Sequence, residues 1–180
     1  MNILLLSSSV REDRNTHQLA KALEKRINSE YNHDAKLIDL KEAELQNLGY
    51  LYKKHPNPPE KMKEAYDAFM ATDAFIFVSP EYNGSYSGAL KNAVDHFPKS
   101  AYERKPIGVA TVSTGAMGGM RAALQMQLLV LALKGIPSPE MLLTPKVSDK
   151  FKKGELVDTD FLKNIDHFLD HLFWLADRIS

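Results

Sequence analysis

The run Ala74-Phe-Ile-Phe-Val78, closed by Ser79-Pro80, constrains this chain more than any other stretch. Consecutive apolar residues, rich in β-branched and aromatic side chains, suit a strand covered on both faces. Proline has no N–H to give to a sheet ladder, so the strand stops at Pro80. Asn83-Gly84 then allows a turn at positive φ. From Ser87 onward the pattern is helical, with Leu90 and Val94 on one face and Lys91 and Asp95 on the other. In an open α/β sheet, a loop between such a strand and helix lies at the carboxyl end of the strand, where ligands bind.

The same unit recurs along the chain. Ile3 to Leu6 reads as a first central strand, followed by the polar loop Ser7 to His17. Leu19, Ala20, Leu23 and Ile27 set a helix over about 16–29, with Asn15 or Thr16 as its N-cap. Ala35 to Leu40 reads as a second strand. Residues 41–59 hold Pro56, Pro58 and Pro59 together with Tyr50, Tyr52 and His55, and are expected to form a surface excursion, a lid or an interface. A helix from Pro59 or Glu60 to Met70 leads back to the strand at 74–78. The strand Ile107 to Val112 is followed by Ser113-Thr-Gly-Ala-Met-Gly-Gly119 and a helix over about 120–134, which Gly135 is expected to end in the left-handed region. A last strand is expected around Glu140 to Leu143, and a final amphipathic helix over about 158–178. Strands alternating with helices predict a doubly wound, three-layer α/β domain over residues 1–180. The five-stranded flavodoxin-like order 2-1-3-4-5, with helices on both faces, is favoured over a dinucleotide-binding fold. The chain is short for the latter, and no Gly-x-Gly-x-x-Gly follows the first strand.

Composition excludes several functions. Lysine plus arginine equals aspartate plus glutamate, 23 each, so no basic surplus points to nucleic acid. The chain has no cysteine, which removes disulfides, zinc-thiolate sites and thiol nucleophiles, and suits a cytoplasmic protein. Its start, Met-Asn-Ile-Leu-Leu-Leu, has no basic leader and turns polar at Ser7, so it is expected to be a strand. No apolar run reaches the roughly 18–20 residues that cross a bilayer. Gly84-Ser-Tyr-Ser-Gly88 has Tyr86, not serine, at the centre of a would-be nucleophile elbow. His167 and His171 are spaced for one metal but lie on an amphipathic helix without a Glu-x-x-His partner, and read as surface or interface residues. The stretch Leu128 to Leu133 is apolar around the helix and fits either a subunit contact or a deep core position.

The first loop carries three successive hydroxyls and two arginines ahead of a helix start. A phosphate is favoured there by unpaired N–H groups and partial positive charge, with Ser9, Thr16 and Arg11 as donors. A polar surface loop with a capped helix explains the same residues. Likewise, Glu81 and Asn83 fit a plain turn, Tyr82 a core aromatic, and Gly118-Gly119 a helix entry.

Together the segments Ser8-Ser-Val-Arg-Glu-Asp-Arg-Asn-Thr16, Pro80-Glu-Tyr-Asn-Gly-Ser85, Leu90-Lys-Asn-Ala-Val-Asp95 and Val112-Ser-Thr-Gly-Ala-Met-Gly-Gly119 resemble the NADPH-dependent FMN reductase family, which includes quinone, azo-dye and chromate reductases. The resemblance covers residues 3 to about 135. It implies bound FMN, NADPH or NADH as co-substrate, a small-molecule electron acceptor, and a homodimer or homotetramer. The even charge balance and the lack of a long apolar run point to no nucleic-acid or membrane partner. Ser9, Arg11, Asn15, Thr16 and His17 would hold the flavin phosphate. Pro80, Glu81, Tyr82 and Asn83 would run along the ring edge, and Ser113, Thr114 and Gly115 would approach its other polar side. No side chain is expected as acid, base or nucleophile, because the flavin carries the hydride chemistry. A flavodoxin-like electron carrier is the alternative. Two departures stand out: Ser8 where glycine is usual, and Ser87 where proline is common, which is expected to loosen that helix start. Arg14, often serine in relatives, is expected either to add charge near the phosphate or to point to solvent.

Overall fold

The computed structural model describes residues 1–43 and 45–179. Five parallel strands, β1 (Asn2–Ser7), β2 (Asp34–Asp39), β3 (Ala74–Pro80), β4 (Pro106–Val112) and β5 (Ile136–Thr144), form one sheet in the order β2-β1-β3-β4-β5. The flavodoxin-like order expected from the sequence is the one observed. α1 (Asn15–Glu30) follows β1, and α2 (Glu60–Ala71) precedes β3. α3 (Gly88–His96) and α4 (Met120–Ala132) follow β3 and β4. A short α5 (Val147–Lys150) and the long α6 (Thr159–Ile179) complete the helices.

Alternation along each strand divides the core in two. Ile3, Leu5, Ile76 and Val78 face one side, where Leu19, Leu23 and Ile27 of α1 meet Ile165, Phe168 and Leu172 of α6. Leu4, Leu6, Phe75 and Phe77 face the other, against Phe69 of α2, Leu90 and Val94 of α3, and Met126 and Val130 of α4. Each such side chain contributes roughly 1.5–3 kcal/mol on burial, far more than local propensity, so the strands at the sheet centre are unambiguous. Gly108 admits α6: a Cβ there would lie 2.7 Å from the Phe168 ring.

Several local expectations are corrected. α1 starts with Arg14, not Asn15 or Thr16, as N-cap, and Arg14 makes no side-chain cap bond. The left-handed residue after α4 is Lys134, φ 64°, not Gly135. Gly135 is needed for closeness instead, since a Cβ would sit 2.6 Å from Ile107 Cδ1. Ser87 does not loosen α3; its side chain accepts from the Leu90 N–H and caps the helix. β5 begins at Ile136, ahead of the expected start, and runs through Pro137 and Pro139. It lies at the sheet edge, where missing N–H donors on the outer side cost nothing. A small antiparallel hairpin, β6 (Phe151–Lys152) and β7 (Glu155–Leu156), was not expected; Lys153 (φ 51°) and Gly154 (φ 84°) form its turn. α4 is not a deep core helix, because Leu124, Leu128 and Leu131 are 52, 67 and 57% exposed. The segment after β2 is a surface excursion as expected, pinned by Tyr52, which stacks on Tyr66 of α2 with ring centroids 4.1 Å apart.

Candidate functional site

The loops after β1, β3 and β4 meet at the carboxyl ends of those strands. They line one cleft with Ser9, Arg11, Asn15 and Thr16 from the first loop, Pro80, Glu81 and Tyr82 from the second, and Ser113 and Thr114 from the third. Direct contact joins the first two loops: Ser9 Oγ and the Tyr82 hydroxyl are 3.1 Å apart.

Tyr82 is aimed by the turn beneath it. Tyr82 and Ser85 exchange backbone hydrogen bonds of 2.8 and 3.0 Å around Asn83 (φ 51°) and Gly84 (φ 81°), a two-residue turn that needs positive φ at both positions. Asn83 is therefore exposed at the turn and does not line the cleft. Gly115 also stands back, its N–H donating to Ser113 Oγ at 3.0 Å and its carbonyl accepting from the Lys146 N–H at 3.1 Å.

His17 is turned away from the cleft lining. Its Nδ1 lies 3.2 Å from Ser7 Oγ and 3.5 Å from Asp39 Oδ2. Burial pushes its pKa below the ordinary histidine value, outweighing the opposite pull of Asp39. Arg14 does not point to solvent: it is largely buried and lines the cleft beside Arg11. Its guanidinium pairs with Asp39 at the end of β2 and donates to the Ser9 carbonyl at 3.3 Å. The loop after β1 is thus braced from β2.

Sequence reasoning missed the residues that hold the second loop. Arg121 of α4 donates to Glu81 Oε1 through Nε at 2.9 Å and through a terminal nitrogen at 2.5 Å. One turn on, Gln125 donates to the Gly84 carbonyl at 3.1 Å and accepts from Ser85 Oγ at 2.6 Å. Arg121 and Gln125, at i and i+4 on one face of a mostly apolar helix, were the available signal. The third loop enters α4 through Gly118 and Gly119, φ 62° and 87°, and Thr111 Oγ1 donates to the Gly118 carbonyl at 2.8 Å.

The two departures from the family pattern meet each other. Ser87 Oγ lies 2.8 Å from the Ser8 carbonyl and 2.9 Å from Ser8 Oγ, and Ser8 Oγ donates to the Val78 carbonyl at 2.9 Å. Both side chains are buried.

These residues fit a flavin mononucleotide at its phosphate end. Hydroxyls of Ser9 and Thr16, the Arg11 guanidinium and the first turn of α1 supply donors and positive potential. The carboxylates of Asp13 and Glu81 border the same cleft, and Arg121 answers the second of them. The half-open cleft has a volume of about 120 Å³, which suits a phosphate group and is well short of the roughly 300 Å³ of an ordinary ligand pocket. A larger hollow of about 500 Å³, lined by Ala43, Leu45, Gln46, Tyr50 and the start of α2, shares no lining residue with the cleft. Among the described residues no cluster of potential metal ligands occurs, and no helix is long and apolar enough to cross a membrane.

Comparison with known proteins agrees with the fold and gives the family. The profile of the NADPH-dependent FMN reductase family matches residues 1–149. A quinone reductase of Pseudomonas putida is 39% identical over 107 residues, 56% of this chain and 58% of that protein, so the match spans little more than half of the relative. An FMN-dependent NADPH-azoreductase of Staphylococcus aureus is 29% identical over an alignment covering 99% of this chain and 90% of its own length. Among solved structures, FerB, a flavoenzyme NAD(P)H:(acceptor) oxidoreductase from Paracoccus denitrificans, superposes with a TM-score of 0.81 at 23% identity, covering 99% of this chain and 98% of its own. That likeness speaks for the fold.

Proposed function

This chain belongs to the NADPH-dependent FMN reductase family, and from that premise we propose that it is an FMN-dependent NAD(P)H oxidoreductase of the cytoplasm, reducing a small-molecule acceptor such as a quinone or an azo compound. FMN, when bound, supplies two-electron transfer between nicotinamide and acceptor. The protein's part is to bind, orient and polarise.

The observation that carries this reading is the meeting of three strand-end loops in one cleft, with Ser9 and Tyr82 in contact across it. Ser9, Arg11, Asn15 and Thr16 would take the phosphate, with Asn15 and Thr16 at the positive end of α1. His17, with its lowered pKa, would support Ser7 rather than donate charge. Pro80, Glu81 and Tyr82 would border the ring edge, while Asn83 keeps the turn and Arg121 and Gln125 hold it in place. Ser113 and Thr114 would close the other side, with Gly115 maintaining the bend. No side chain is assigned proton transfer.

We also assign the apolar stripe of α4 to a second copy of the chain. Met120, Leu124, Leu128 and Leu131 recur at spacings of three and four along α4 and are all exposed, and exposed Met117 stands in the loop just before it. A stripe of that period suits a helix packed on its two-fold mate.

The test is a titration of the purified protein with FMN, followed by stopped-flow mixing with NADPH or NADH in the absence of any partner protein. Bound flavin that bleaches rapidly supports the reductase. A protein that takes up no FMN ends the proposal, and bound flavin that neither nicotinamide reduces favours an electron carrier.

A further inference from the structure

The loop after β1 and the loop after β3 are joined by a buried chain of hydroxyls. Ser8 Oγ donates to the Val78 carbonyl, so it is left to accept. Ser87 Oγ then places its one proton between the Ser8 carbonyl and Ser8 Oγ, at 2.8 and 2.9 Å, and accepts from the Leu90 N–H at 3.2 Å. Beside it, the Ser87 N–H donates to Ser79 Oγ at 2.9 Å, which closes the base of the second loop, and Ser79 Oγ donates to the Pro80 carbonyl at 3.0 Å. Ser8, Ser79 and Ser87 are 0, 0 and 2% exposed. One side chain, Ser87, thus fixes the start of α3, the end of the second loop and the main chain one residue before Ser9.

Hydroxyls buried this completely cost desolvation unless every partner is met. A proline or alanine at 87 would leave the same strands and helix in place, since their apolar faces are satisfied elsewhere. What it would remove is the fixed spacing between Ser9, on the first loop, and Pro80 to Tyr82, on the second.

We propose that Ser8 and Ser87 are positioning residues that hold the first loop at a set distance from the second, so that one ligand can be gripped at its phosphate end and along its ring at once. The inference rests on the FMN reading above. A ligand that reaches both loops gains from their being held in register, because no ordering remains to be done on binding. A ligand that lacks the phosphate gains nothing from it.

The experiment is therefore a comparison of two probes, FMN and riboflavin, titrated by flavin fluorescence into flavin-free wild type, Ser87→Ala and Ser8→Ala, with thermal melting as the control for folding. Wild type should bind FMN more tightly than riboflavin. Ser87→Ala should raise the FMN dissociation constant about tenfold, as expected for one buried hydrogen-bonded hydroxyl, and leave the riboflavin constant within about twofold. Ser8→Ala keeps the Ser87 bond to the Ser8 carbonyl and the α3 cap, so its effect should be about threefold on FMN alone. It carries the test where Ser87→Ala does not fold. Equal losses for both probes, or none, in the folded variants overturn the positioning role while leaving the FMN reading standing. Wild type that binds neither probe overturns both.

Discussion

The Tyr82 hydroxyl lies 3.1 Å from Ser9 Oγ, joining loops that leave β1 and β3 and are 73 residues apart in the chain. Tyr82→Phe keeps the ring and removes this bond. A part-buried hydrogen bond of this kind contributes about 0.5–1.5 kcal/mol, so melting should fall by only a few degrees. FMN affinity should drop several-fold, because Ser9 loses its orientation. An unchanged FMN dissociation constant would show that the contact is incidental to binding.

Arg121 and Glu81 make a different prediction. The arginine side chain is 75% exposed but that of Glu81 only 12%, so Arg121→Ala leaves a largely buried carboxylate without its partner and should lower the melting temperature by a few degrees, for a cost of about 1–3 kcal/mol. The turn it braces should loosen. Hydrogen exchange at the Tyr82 and Ser85 amides, which close that turn, should accelerate. Full protection in the variant would assign the turn's rigidity to Gln125 alone.

Two glycines provide a contrast. Gly119 has φ 87°, and a Cβ there would lie 2.7 Å from Thr111 Cβ, so Gly119→Ala should cost about 2–4 kcal/mol through strain and overpacking. Gly88, at the start of α3, has nothing within 4 Å of a built Cβ. Gly88→Ala should be neutral or stabilise by up to about 1 kcal/mol. Urea midpoints measure both, and a Gly119→Ala protein as stable as wild type would contradict the close approach of α4 to β4.

His17 makes stability depend on pH. Its folded pKa lies below the ordinary value of 6.5 because burial disfavours the charged ring. The unfolded chain therefore binds the proton more readily. The contribution is complete above 6.5 and is lost as pH falls through 6.5 toward the lower folded value. His17→Gln should flatten the urea midpoint over this window relative to wild type, and identical profiles would rule the ring out as the source.

For the α4 stripe, Leu128→Lys places a charge at a side chain 67% exposed in the single chain. Monomer folding should be unaffected. Sedimentation should show wild type at twice the mass of the variant, or at higher multiples if dimers pair. A wild type that sediments as a monomer at micromolar concentration would leave the stripe without the assigned partner.

Much of this architecture was legible in the residues alone. The runs at 3–6, 74–78 and 107–112 are apolar on both strand faces, and only a central parallel strand hides both. Asn83-Gly84 marked its turn, because few residues tolerate φ of 51° and 81°. The three polar loops were visible as breaks in the apolar pattern, and the chain's order placed them at strand ends. These are properties of neighbours in sequence, and backbone sterics and burial read them directly.

Tertiary structure alone decided the pairings. Arg14 turned to Asp39, 25 residues on; Glu81 found Arg121, 40 residues on; and Ser8 met Ser87, 79 residues on. A polar side chain does not carry the identity of its partner. Several carboxylates, carbonyls and hydroxyls would satisfy each donor equally well, and the one chosen is whichever the packed sheet and helices bring within about 3 Å.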